Sequence, residues 1–315
     1  MLSKLFSENR YLILLVIIPL IIAGFSSCKK ADTEVDSGSE AYQQAVADFY
    51  MSLGASQTDQ SRFAFNKMND VATAFPEETA AWANLAVYAM RQGNFDLAED
   101  RMERALEISP EHTEVLFLGS IIQSRSGNVS NSVDYLRRAA DVSPDHPRIL
   151  FSLAQELERE DDIANADEIL HALESLHEIL PQNQVVLLEL TRVGIKEQDS
   201  KLILTHLELL EQQSEFWDDE SLAQLEELYE LHEEGNFSAL SLEISFLRSG
   251  LEALHRFQDD LLQVQLPPTD VGFLITEFIN LPLPQVKVSA PDLEMNLDRM
   301  PYRQGVVWPP TNRSR

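Results

Sequence analysis

A single cysteine, Cys28, occurs in the 315 residues, so no disulfide can form within the chain. Basic residues are few: Lys and Arg total 24 against 52 Asp and Glu, for a formal net charge of −28. A chain this acidic has no basic surface with which to neutralise phosphates, which excludes nucleic-acid binding. It is also repelled by anionic membrane surfaces, while remaining compatible with a basic or apolar partner. Catalytic signatures are missing as well: no HExxH, P-loop, GxSxG or GxGxxG occurs. The many carboxylates single out no catalytic pair, because acidic helix surfaces bring Asp and Glu together by default. The sequence therefore leads us to expect no catalytic residue, no metal site and no cofactor.

What is present is helical and periodic. Hydrophobic residues make up 44% of the chain and glycine only 11 positions, with Leu, Glu and Ala abundant, which favours helix over strand. Pro76, Pro110 and Pro144 are separated by 34 residues twice, and Pro181 follows 37 residues later. Each proline closes an apolar helical segment, and 34 residues is enough for two antiparallel helices that cannot bury their apolar faces alone.

Taking Thr79 as position 1, residues 79–112 place Trp82, Leu85, Ala86, Gly93, Phe95, Ala98, Ala105 and Pro110 where the tetratricopeptide (TPR) pattern asks for them. Residues 113–146 keep Gly127, Ala139 and Pro144, with Leu116 in place of the Trp. Residues 147–180 keep Leu150, Leu153, Ala154, Ala166 and Leu170, with Asp161 in place of the turn glycine and three residues inserted before Pro181. Residues 45–78 read as a degenerate first unit. The chain thus resembles the TPR family, which implies an all-α solenoid of helical hairpins.

The first 27 residues resemble a bacterial lipoprotein signal peptide: Lys4 and Arg10, then the apolar run 11–24, then Phe25-Ser-Ser-Cys28. The run is shorter than the ~20 apolar residues that span a bilayer. The resemblance implies cleavage before Cys28, diacylglyceryl modification of that cysteine, and a lipid anchor in the bacterial cell envelope, on the outer membrane. An uncleaved N-terminal anchor helix is the alternative. Residues 28–41 read as a flexible tether.

Beyond Pro181, residues 185–194 and 202–210 suggest another helix pair, and 222–232 a further amphipathic helix. From Leu202 to Leu247 there are twelve Asp and Glu but no Lys or Arg, either a solvated face or a docking surface for a basic partner. The apolar spacing of residues 238–264 predicts one long helix packed on the last repeat as a cap. Eight of the 14 prolines fall in residues 267–315. That stretch reads as a Pro-rich tail interrupted by a short apolar helix over 271–279. Residues 271–284 and the order of the segments also resemble the region that precedes FG-GAP/VCBS repeats and an ASPIC/UnbV module in large bacterial secreted proteins.

His112 and His146 occupy equivalent inter-repeat turns, and His171 and His177 lie on different faces of one helix, so none is assigned to a metal. The TPR resemblance implies that positions 5, 9 and 12 of each first helix face the concave groove. Those positions supply Phe49, Leu53, Val87, Met90, Phe117, Ile121 and Phe151, an apolar strip suited to an amphipathic helix or an extended peptide. Two kinds of occupant fit it: a separate protein or peptide, or the chain's own N-terminal segment, C-terminal helix or Pro-rich tail. The reading that follows is a membrane-anchored, non-catalytic scaffold for a protein partner, or alternatively an accessory subunit or N-terminal region of a larger secreted system that recruits an enzyme.

Overall fold

The computed structural model describes residues 36, 38–58, 60–266 and 272–282. The expected signal peptide, Cys28 and the tail from 283 onward lie outside the described residues. Those described form helices and turns, with no strand among them: α1 (Glu40–Ser56), α2 (Ser61–Ala74), α3 (Thr79–Arg91), α4 (Phe95–Ile108), α5 (Thr113–Ser126), α6 (Val129–Val142), α7 (Pro147–Asp161), α8 (Ala166–Ile179), α9 (Gln184–Glu197), α10 (Ser200–Glu211), α11 (Asp219–Glu233), α12 (Phe237–Leu251) and α13 (His255–Val264). Helices α1 to α12 pair as antiparallel hairpins, and from α1 to α11 each packs on the next along the chain. The fold is an all-α helical-repeat solenoid. Among the described residues, no helix is long and apolar enough to cross a membrane.

Local chemistry sets the helix boundaries. Asn94, Asn183, Asp199, Asp218 and Asn236 each accept an N–H from the first turn of the helix that follows. Gly93 and Gly127, one period apart, end α3 and α5 at φ of +74° and +90°, a region that a residue without Cβ enters without strain. Where Asp161 replaces that glycine, its carboxylate accepts the N–H groups of Ile163 and Ala164 at 3.1 and 3.0 Å and turns the chain instead.

Successive repeats are closed internally by the same hydroxyl contact in the same place, and a later pair is joined by an arginine fork. Thr79 and Ser109 hydroxyls lie 2.8 Å apart, and Thr113 and Ser143 repeat that contact at 2.8 Å. Arg192 forks onto Glu158, 34 residues earlier, at 2.7 and 2.8 Å. Ala64, Ala98, Ala105 and Ala139 are fully buried, so the paired helices approach closely, while Leu85 fills the interior. Trp82 is only half-buried: its indole N–H donates to the Pro76 carbonyl and Arg101 lies 5.4 Å over its ring.

Two expectations need correction. Residues 238–264 form two helices, not one, because the chain turns at 252–254 after α12. Helix α12 then packs on α9 and α11, whereas α13 packs on α7 and α9. The predicted helix over 271–279 is absent, since residues 272–282 contain no helix.

Because Ala98 touches only packed neighbours, Ala98→Leu should overpack the α3–α4 contact and cost about 1–3 kcal/mol, read as a lower thermal midpoint. A second prediction concerns His177 on α8 and His206 on α10, whose rings stack edge-on at 5.4 Å. Burial pushes both below the usual histidine value, with Glu178 and Glu174 opposing the shift. Their contribution to stability is therefore full above about pH 6.5 and declines as pH falls through the depressed folded values. Between pH 7.5 and 5.5 the wild-type midpoint should fall further than that of His206→Gln.

Candidate functional site

The first helices of the hairpins, α1, α3, α5, α7 and α9, form the inner face of the solenoid. Helix α3 is apolar on nearly every side, and all its residues except Trp82 and Arg91 are buried. Its partner α4 and neighbouring hairpins cover part of it. The remainder is covered by residues 272–282, which cross α3 from its C-terminal to its N-terminal end as an extended strap.

Contacts follow the strap in order. The Gly272 carbonyl accepts from the Arg91 guanidinium at 3.2 Å. Gly272 itself sits at φ +74°, a backbone region that favours glycine, and it crosses close to the Met90 side chain. Phe273 meets Phe117 of α5 at a ring separation of 5.7 Å. The Asn84 carboxamide then pairs with both backbone groups of Ile275, giving its N–H to the carbonyl and accepting the amide N–H, each at 2.8 Å. Phe278 lies 4.4 Å from the Phe49 ring on α1. Tyr42 of α1 donates to the Pro282 carbonyl.

The tightest grip comes from Glu78, fully buried just before α3. Its two carboxylate oxygens accept the N–H groups of Ile279, Asn280 and Leu281 at 2.8, 3.0 and 2.7 Å, and that of Ala80 at 3.0 Å. Asn280 answers by accepting the Thr79 N–H at 2.9 Å. A carboxylate is favoured at a helix N-terminus by the helix dipole, and bonds to a charged acceptor are worth about 1.5–3 kcal/mol each.

Buried strap residues recur at 272, 275, 278 and 281, every third position. A spacing of three is close enough to 3.6 to imitate a helix in sequence. The amides that a helix would have satisfied internally are held here by Glu78 and Asn84.

The other half of the inner face is also filled by the chain's own C-terminal region. Asp260 on α13 accepts the Gln184 N–H at the start of α9 at 3.0 Å, while its carbonyl accepts from Asn183 at 2.8 Å. Burial pushes the Asp260 carboxyl above its usual value. Arg148 donates to the Leu262 carbonyl at 2.9 Å. Between α9 and α12, Arg192 and Arg248 both bond to Glu189, closing a charge-balanced network with Glu158. Burial depresses the Arg192 guanidinium, but Glu189 and Glu158 more than offset this and hold it above its usual value.

A family model described as "Tetratricopeptide repeat" matches residues 79–112, the unit that carries Glu78's helix and Asn84. Residues 79–112 are thus a tetratricopeptide repeat. No curated protein matches it. Among solved structures, it is similar to pilF of Pseudomonas aeruginosa at 15% identity, covering 71% of this chain and 100% of that one with a TM-score of 0.49. A structure of Naa15/Naa10 bound to HypK-THB aligns at 15% identity over 70% of this chain and 36% of that one, TM-score 0.50. A MamA crystal structure aligns at 14% over 55% and 96%, TM-score 0.47. At these identities the likeness is one of fold.

Within this TPR array, the seven groove residues named from sequence all lie on first helices, but they do not form an open strip. Phe49, Val87, Met90 and Phe117 sit under or beside the strap, Leu53 and Phe151 are buried, and Ile121 is half-buried. Phe151 lines a recess of about 220 Å³ with Glu158, Glu189, Arg192 and Arg248, while Phe117 and Ile121 line a second of about 120 Å³. Of the two kinds of occupant considered, the chain's own tail is the one that fills the groove. Sequence reasoning missed Glu78 and Asn84. The available signal was the absence of a polar face on α3, which demands cover from elsewhere. Among the described residues, no cluster of His, Cys, Asp or Glu could hold a metal ion.

Glu78→Gln keeps the acceptor for one or two amides but removes the charge that binds the others. Hydrogen exchange at Ile279, Asn280 and Leu281 should accelerate about ten-fold or more, with exchange in α9 unchanged.

Proposed function

We propose that this protein is a non-catalytic interaction scaffold of the bacterial cell envelope, held on the outer membrane by lipid on Cys28, with its TPR array presented to a protein or peptide partner. The observation that carries the reading is the construction of the inner face. Asn84 and Glu78 engage an extended segment through its backbone while apolar side chains receive its anchors, which is how a peptide-binding groove works. The low content of basic residues and the signal-peptide pattern at residues 1–27 support an envelope location and argue against nucleic acid.

Cys28→Ser should move the protein out of the membrane fraction or leave it as an unprocessed precursor, because lipid on that residue supplies the stable association. Normal processing with full membrane retention would refute the anchor. Affinity isolation of the full chain from solubilised envelopes should return a stoichiometric protein partner. Co-purification of a catalytic activity would instead favour the accessory-subunit reading.

A further inference from the structure

Glu78 and Asn84 both act on backbone groups of the strap, and every peptide has those groups. Selectivity lies elsewhere, in the glycine at 272 and the apolar anchors at 275, 278 and 281. The groove does not depend on the strap for its own secondary structure. Helix α3 has its own backbone ladder, and Glu78 accepts the Ala80 N–H from within the repeat. Side-chain bonds and packing join the two, with no shared backbone ladder. An emptied groove would expose Phe49, Val87, Met90 and Phe117 as one apolar strip, so the site requires an occupant.

We propose that residues 272–282 are an exchangeable resident ligand, and that a partner protein takes this groove by inserting an extended peptide of the same chemistry. That peptide carries a glycine, then apolar residues at every third position, and ends near Asn-Leu-Pro. This rests on the reading of the inner face as the protein-binding face, and goes past it by naming the peptide class and its competitor. A tethered segment competes at an effective concentration of millimolar order, so the strap sets a threshold that only a well-matched or locally concentrated peptide passes.

The probe is a fluorescent synthetic peptide with the sequence of residues 271–284, titrated against the solubilised full chain. A full-length variant in which residues 272–282 are replaced by a Gly-Ser linker of equal length should bind it at least ten-fold more tightly than wild type. Adding Asn84→Ala to that variant should remove most of the gain, and a scrambled peptide should not bind. No saturable binding to the linker variant would overturn the proposal. Loss of its helicity would overturn it too, by making the strap part of the core. A wild-type dimer dissolved by the free peptide would show that a second copy, not a separate partner, supplies the segment. If the linker variant refuses the peptide yet retains its envelope partner, the exchange fails and the scaffold reading stands. If it binds the peptide but no partner is ever recovered, the scaffold reading fails instead.

Discussion

An α-helix that is apolar on every side must be covered on every side, and α3 imposes that condition on the whole molecule. Its hairpin partner and its neighbours in the stack leave the inner side uncovered. Residues 272–282 supply the cover, and the price of bringing backbone into an apolar groove is met by Glu78 and Asn84, which take up amides that would otherwise be buried without partners. At the other end, α9 is buried nearly all round and is covered in the same way by α12 and α13, with Asp260 accepting its first amide. A carboxylate from or against the C-terminal region thus marks both ends of the inner face.

The repeat architecture was legible because it is written locally. The 34-residue spacing of Pro76, Pro110 and Pro144, the buried alanines at 98, 105 and 139, and the turn glycines at 93 and 127 each report a constraint within one hairpin. The strap was misread because its apolar residues recur every third position, near enough to a helical period, while what distinguishes them is a set of amide partners some 200 residues away. For the same reason Phe117 and Phe151 looked like open groove residues: the repeat pattern locates a position on the inner face but cannot say what lies over it. Residues 238–264 show a related limit, since one apolar stripe continued through a turn that sends α12 and α13 to different neighbours.

Charge is distributed in keeping with this. Among the described residues, Arg192 and Arg248 neutralise Glu158 and Glu189 on the inner face, while Arg137 grips Glu168 across the second helices α6 and α8. The acidic excess is left to outer surfaces such as α10 to α12, where Glu243 is pushed above its usual value by burial and by Glu227. Like charge there keeps those surfaces hydrated, while the groove under the strap is apolar.

The strap changes what kind of object the solenoid is. A linear repeat array is held only by nearest neighbours, and it unzips from whichever end is weakest. Here Tyr42 in the first helix bonds to Pro282, 240 residues later, so the last described residues are fastened to the first hairpin. The line is thereby closed into a ring. Fraying at α1 must first detach the strap, and detaching the strap uncovers α1, α3 and α5 together, so the two ends of the described array share a single cooperative unit. Closure over such a separation comes late in folding, after the local hairpins have formed, because its entropy cost is met only once both surfaces exist.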